Sequence, residues 1–414
     1  MLFIQVNILQ KEFVKNKKCI KRIKIQIIRK NKTENKGGKI MKKNKDKGIT
    51  LIALVITIII LLILAGISIS ALTNQGLFKN AKAAQNATEK AEKEQGQRLN
   101  EYEDEINKYL NNSNEDEKIG LITDNINKEL SKTDNTKLKD EKGNRIVVPA
   151  GFKIVNGATT VDKGIVIEDV TETATKGSQF VWVPVGSITK ADGTTTEIKL
   201  NRYTFDENGI STAQDDKIIG TYFQELKESN KGNTVAKSIS DFKTSTLKNG
   251  GYYIGRYEAR TATTRNAAGN ALTQITEKGT ENVYNYVTQL QAAQLSQNMY
   301  NSIKFTSDLM NSYAWDTAIV FIQNCGTNSK YSRQNSLNTG AVSQIGTNVD
   351  IQCNIYDMAS NIMEWITETC INSERPCVVR GGHYYDSNFG ANTRDSSIIS
   401  LSDDHVGFRT LLYL

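Results

Sequence analysis

Apolar residues run unbroken by charge from Ile49 to Leu72, and the pattern of the chain changes three times after that. At helical rise this first stretch is roughly 36 Å long, enough to cross a bilayer. From there apolar positions recur at Leu77, Ala81, Ala84, Ala87, Ala91, Leu99, Tyr102, Ile106 and Tyr109, in a background of Ala, Glu, Lys and Gln. Those are strong helix formers at three- and four-residue steps, so the spacing predicts one long helix over 49–110. Residues 111–145 are polar with few apolar anchors and read as a spacer. Ile146–Val170 alternates enough to predict two or three short strands, completing a connecting region over 111–174. Residues 175–414 show no internal repeat and are long enough for a single core.

Charge changes the picture of the N-terminus. The formal net charge is +7, yet residues 1–40 hold twelve Lys/Arg against two acids. Lys36-Gly37-Gly38-Lys39-Ile40 can be back-translated to a ribosome-binding sequence ahead of Met41, so translation is expected to begin at Met41. A genuine basic arm carrying a reduced Cys19 is the alternative. Without 1–40 (+10) and the basic leader 41–48 (+3), the charge becomes −6. The basic balance therefore gives no reason to expect a nucleic-acid partner. Four cysteines fall in the globular part: Cys325, Cys353, Cys370 and Cys377. With no CxxC spacing and two histidines, no zinc site is expected. An exported location permits disulfides, and of three possible pairings Cys370 with Cys377 and Cys325 with Cys353 is the expected one.

Three motifs near the C-terminus carry a resemblance: NIYDMASNIMEW (Asn354–Trp365), RGG (Arg380–Gly382) and GFR (Gly407–Arg409). In order and spacing they resemble the closing half of the formylglycine-generating enzyme (sulfatase-modifying factor) family. FVWVPVG (Phe180–Gly186) and GGYYIGRYEAR (Gly250–Arg260) resemble strands of that family, and SYAWDTAIVFIQ (Ser312–Gln323) a helix. The family's middle LPTEAEWEYA segment is not recognisable. The resemblance implies an α+β head of C-type-lectin-like fold over 175–414. It also implies a structural calcium held by Asp357, the carbonyls of Ser360 and Ile362, and Glu364, with a calcium-free capping role for the two acids as the alternative. Ser360 replaces a family glycine, so strain is expected there. Arg380, Gly381, Gly382, Gly407, Phe408 and Arg409 read as structural, as do Trp182, Met358 and Trp365. The family's copper-binding cysteines are matched by Asp386 and Ala391, and no iron-binding histidine cluster exists, so neither copper nor iron is expected.

Lys42, Lys43, Lys45 and Lys47 precede Gly48-Ile49-Thr-Leu-Ile, which resembles a prepilin-type cleavage and methylation site. A peptidase would cut between Gly48 and Ile49, leaving Ile49–Leu72 in the membrane and the helix over 49–110 as a pilin-like stalk. Major pilins carry Glu at the fifth mature position, where this chain has Ala53. The implied partners are the membrane, a prepilin peptidase and pilin subunits.

The stretch His383–Val406 lacks Lys, Glu, Gln, Met and Trp, and every residue type in it can be written with NNY codons. It resembles the variable region of proteins diversified by retroelements, which use the same lectin-like fold. Tyr, Ser, Asn and Asp are also favoured in adaptable binding surfaces. Two functions of different class follow. One is a surface-displayed, non-catalytic binding protein presenting His383, Tyr384, Tyr385, Asp386, Asn388, Phe389 and Asn392 to an extracellular protein or glycan. The other is an exported enzyme of the formylglycine-generating superfamily with a remodelled site. The absent cysteines and histidines favour the first.

Overall fold

The computed structural model describes residues 120–414, apart from 123–125, 156–158, 222, 227–228, 338 and 345–349. The leader, Gly48, Ile49, the apolar Ile49–Leu72 stretch and the stalk helix lie outside the described residues. Among the described residues no helix is long and apolar enough to cross a membrane.

Strands dominate. Those of the two largest sheets are, in chain order, β1 (Phe152–Ile154), β2 (Val166–Asp169), β3 (Gln179–Pro184), β4 (Phe223–Leu226), β5 (Gly251–Gly255), β6 (Thr306–Leu309), β7 (Met363–Cys370), β8 (Cys377–Arg380), β9 (Arg394–Ser397), β10 (Val406–Phe408) and β11 (Thr410–Tyr413). Among the described residues three α-helices accompany them: α1 (Ile239–Asn249), α2 (Gln289–Gln297) and α3 (Ser312–Cys325). The α+β expectation holds at this level. The three family-like segments at 180–186, 250–260 and 312–323 form β3, β5 and α3, as the resemblance implies.

The first sheet is antiparallel throughout, in the order β6-β11-β5-β3-β2-β1. Its middle is buried on both faces, as the unbroken apolar runs VWVP and YYI require. Tyr252 turns towards the helices: its hydroxyl donates to the Ala314 carbonyl of α3 (2.6 Å), and its ring meets Phe242 of α1 edge-on. Tyr253, one residue on, projects to the opposite face. There it packs on Trp182 and donates to the Val147 carbonyl (2.9 Å). Thr136–Lys139 and Arg145–Val148 pair with each other, burying Leu138 and Ile146. With β1 and β2 inside the first sheet, a domain boundary at 174/175 falls within one folded body, and 117–414 is a single compact unit.

The second sheet runs β4-β7-β8-β9, with β10 parallel to the first half of β7. All eight residues of β7 are buried. Between β10 and β11 the chain passes from the second sheet to the first through one residue, Arg409. That is the physical meaning of the GFR motif. Arg409 is fully buried and grips both layers: Nε and Nη2 donate to Glu364 of β7 (2.6–3.2 Å), Nη1 to the Gly255 carbonyl of β5 (2.9 Å) and Nη2 to the Tyr356 carbonyl (2.8 Å).

The cysteines correct the expected pairing. All four are free thiols. Across the β7–β8 ladder Cys377 faces Thr369, so Cys370 projects to the other face and the two sulfurs do not meet. Cys377 Sγ instead lies 3.3 Å from the donor Asn230 Nδ2. Burial pushes the Cys325 thiol up to about 12, and burial followed by the nearby Cys325 pushes the Cys353 thiol up as well.

Candidate functional site

The RGG motif ends β8 and turns the chain into the loop that carries the expected ligand residues. Arg380 is fully buried; its Nη2 donates to Asp316 Oδ1 of α3 (2.6 Å) and its Nε to the Thr393 carbonyl (2.6 Å), closing the base of the loop. Gly381 has φ +84°. Gly382 is not left-handed, but a side chain there would stand 2.2 Å from the Ala359 carbonyl oxygen. Both glycines are thus required, one by conformation and one by close approach.

Asp316 also accepts from Arg394 Nη2 (2.7 Å) and the Tyr203 amide (2.9 Å). Arg394 Nε donates to Glu368 Oε2 (2.7 Å), and Arg202 Nη2 pairs with Glu368 Oε1. Burial works against the Asp316 carboxylate, yet Arg380 and Arg394 hold its pKa below the ordinary value. Three arginines and two acids therefore lock α3, β7, β8 and β9 together beneath the loop. Sequence reasoning missed Asp316, Glu368, Arg202 and Arg394. The readable signal was Asp316, the one charged residue in the apolar helix SYAWDTAIVFIQNC.

Above this frame the expected ligand residues divide. Tyr385 is 46% exposed, and Ser387 and Asn388 are exposed with it. Tyr384 is half-buried, its hydroxyl donating to Asp404 Oδ2 (2.8 Å). Asp386 Oδ1 accepts from the amide and side chain of Asn388 (both 2.8 Å), shaping the turn. His383 is a correction: at 3% exposure it lies under the loop, with its ring 4.1 Å from Tyr385 and 4.9 Å from Phe389 between centroids. Phe389 is half-buried against the core. The Asn392 side chain, in its hydrogen-bonding orientation, donates to the Ser332 carbonyl (2.8 Å) and accepts from Arg333 (3.1 Å). Ala391 is fully buried, its carbonyl accepting from Trp315 Nε1 (2.9 Å). The stretch 383–406 is thus not one displayed loop. Its exposed residues are Tyr385, Ser387 and Asn388 in one turn and Ile398–Ser400 in another, and Arg394 belongs to the frame.

The residues expected to bind calcium do not fit that ion as a set. Both oxygens of Glu364 accept from Arg409 at 3.2 Å or less, so the acid is already neutralised. Asp357 is buried with Oδ2 unpartnered, and burial, then the Asp350 charge, raises its pKa. Left-handed backbone falls on Asp357 and Asn361 (φ +59° and +65°), not on Ser360. Glu258 lies nearby, receiving Asn361 Nδ2 (2.7 Å) and the Ile362 amide (3.2 Å).

No family model and no curated protein matches the chain. Among solved structures, Treponema denticola variable protein 1 is similar at 12% identity and a TM-score of 0.33, over 58% of this chain and 98% of that one. The Major Tropism Determinant M1 variant is similar at 13% identity and a TM-score of 0.22, over 71% and 74% of the two chains. CarF is similar at 15% identity and a TM-score of 0.22, with the match spanning 30% of this chain and 55% of its own. Superpositions this shallow fix neither ligand nor activity.

Proposed function

We propose that this chain is a non-catalytic binding protein held at the cell surface, with a C-type-lectin-like head whose ligand surface centres on Tyr384–Asn388. The observation that carries the reading is the contrast across a few residues of β8 and its loop. Arg380 is fully buried in an ion-pair network, whereas Tyr385 stands 46% exposed on a layer of rings formed by His383, Tyr384 and His405. An aromatic held rigidly at the surface, flanked by Ser387, Asn388 and Asp386, offers contact area at low entropic cost. The ligand class is an extracellular protein or a glycan. Diversification of the exposed turn would alter binding without touching the frame.

Display is supported by Ile49–Leu72 behind four lysines, with cleavage between Gly48 and Ile49 and assembly beside pilin subunits. Mass spectrometry of the exported protein should find Ile49 as the N-terminus, and leader peptides in mature material would refute the processing step. For the binding function, the full chain in detergent is screened on glycan and cell-surface-protein arrays. Tyr385→Ala should abolish any hit while leaving the melting temperature unchanged. A hit that survives Tyr385→Ala together with Asn388→Ala would overturn the assignment of the surface.

A further inference from the structure

The chain has two histidines, at 383 and 405, and the fold brings them together with two aspartates at the edge of the ligand surface. We infer that Asp403, Asp404 and His405, beside the buried His383, form a binding site for a divalent transition-metal ion of the zinc class.

Asp403, Asp404 and His405 each offer a ligating atom within 4.8 Å of the others, and His383 lies outside that group. His405 Nδ1 lies 3.1 Å from Asp404 Oδ1 and 3.7 Å from Asp403 Oδ1. Donors bound to zinc at 2.0–2.1 Å in a tetrahedron stand about 3.4 Å apart, and the two observed edges bracket that value. His383 supplies the independent observation. Its ring is buried, with Nδ1 lacking any partner, and it packs against His405 at 5.4 Å between centroids. Two imidazoles on one tetrahedral ion place their ring centres about 5 Å apart by the same arithmetic. A buried imidazole nitrogen without a hydrogen bond is costly to maintain, and coordination to an ion would satisfy it.

The site is held in place. The Asp403 carbonyl accepts from the Tyr286 amide (2.9 Å), the Asp404 carbonyl from Asn285 Nδ2 (2.8 Å) and the His405 carbonyl from the Met363 amide (2.9 Å). Tyr384 orients Asp404 by donating to Oδ2, leaving Oδ1 towards His405. Such outer hydrogen bonds fix ligand direction in metal sites. An imidazole with two carboxylates, and a second imidazole beside them, suits a borderline ion such as Zn²⁺, whereas calcium and magnesium prefer all-oxygen sites. The spacing rules that speak against zinc in the sequence concern ligands close together along the chain; here 22 positions separate the two histidines.

The test needs no knowledge of the ligand, so its outcome is independent of the binding function proposed above. Metal-free full chain in detergent is titrated with Zn²⁺ against a chromophoric chelator, and separately with Co²⁺. One equivalent should bind, with the intense visible bands of four-coordinate Co²⁺ and no thiolate charge-transfer band. Millimolar Ca²⁺ or Mg²⁺ should not compete. His405→Ala and Asp403→Asn should each weaken Zn²⁺ binding by about tenfold or more. Asp403 is 47% exposed in its side chain, so the metal-free melt of Asp403→Asn should match wild type, whereas His405 is only 18% exposed and its variant is read for metal uptake once shown to fold. If His405→Ala fails to fold, Asp403→Asn decides. No uptake by wild type, or uptake unchanged in a folded variant, would overturn the site, as would a thiolate band placing the ion on cysteines.

Discussion

Asp316→Asn tests the frame beneath the loop. The carboxylate is fully buried and receives Arg380 (2.6 Å), Arg394 (2.7 Å) and the Tyr203 amide (2.9 Å). The amide keeps the shape but removes the charge and turns an NH₂ donor towards a guanidinium. Arg380, whose Nη1 already lacks a partner, would lose its counterion. Breaking one side of a buried ion pair costs about 3–5 kcal/mol, because the remaining charge stays desolvated. For a head of this size that corresponds to a fall of roughly 10 °C in melting temperature. The assay is thermal melting of the full chain followed by near-ultraviolet circular dichroism, at neutral pH and again on acidification. The folded pKa of Asp316 is depressed, so its contribution is present above the unfolded value of 3.8 and lost as pH falls through the folded one. The gap between wild type and variant should therefore narrow in acid. A neutral-pH loss below about 1 kcal/mol would refute the reasoning, since an exposed pair behaves that way.

Three further outcomes are expected. Gly382→Ala should cost about 3 kcal/mol, because its Cβ would overlap the Ala359 carbonyl; a denaturant midpoint equal to wild type would contradict that packing. Glu277 is fully buried, and burial pushes its pKa up to about 8 from 4.5. A raised acid favours the fold fully below the unfolded pKa and loses that contribution as pH rises through 8, so Glu277→Gln should gain up to about 4 kcal/mol over wild type above pH 8 and little below pH 5. Urea melts at both pH values check it. A calcium chelator should leave the melting temperature unchanged, since Arg409 already neutralises Glu364; a fall that Glu364→Ala abolishes would restore calcium to the loop.

The legible parts of the sequence were those set by local pattern. VWVPV and YYIG read as strands, and SYAWDTAIVFIQ as a helix, through their resemblance to segments of the formylglycine-generating enzyme family. RGG and GFR were legible as structural, though not why: the reasons are a carbonyl 2.2 Å from a would-be side chain and a crossover between sheets at Arg409. Partnerships across long separations were not legible. Arg202 meets Glu368 over 166 positions, and Arg394 sits in a stretch whose composition suggested display. The same limit hid the place of the expected strands at 152–169, which join the first sheet rather than a connecting region, and the approach of His383 to His405. Cys370 and Cys377 are close along the chain, but strand alternation points them apart.

The most direct test of the account is a saturation substitution scan of residues 380–409 in the displayed full chain, read in two channels. One channel reports folding through a conformation-specific antibody, the other binding to a target found on the arrays. Tyr385, Ser387 and Asn388 should accept most substitutions in the folding channel, within about 0.5 kcal/mol, and few in the binding channel. Arg380, Gly381, Gly382, Ala391, Arg394, Gly407, Phe408 and Arg409 should fail in the folding channel first. If Tyr385 and Asn388 proved as intolerant of folding as Phe408, or if their loss left binding intact, the separation of frame from ligand surface would be wrong.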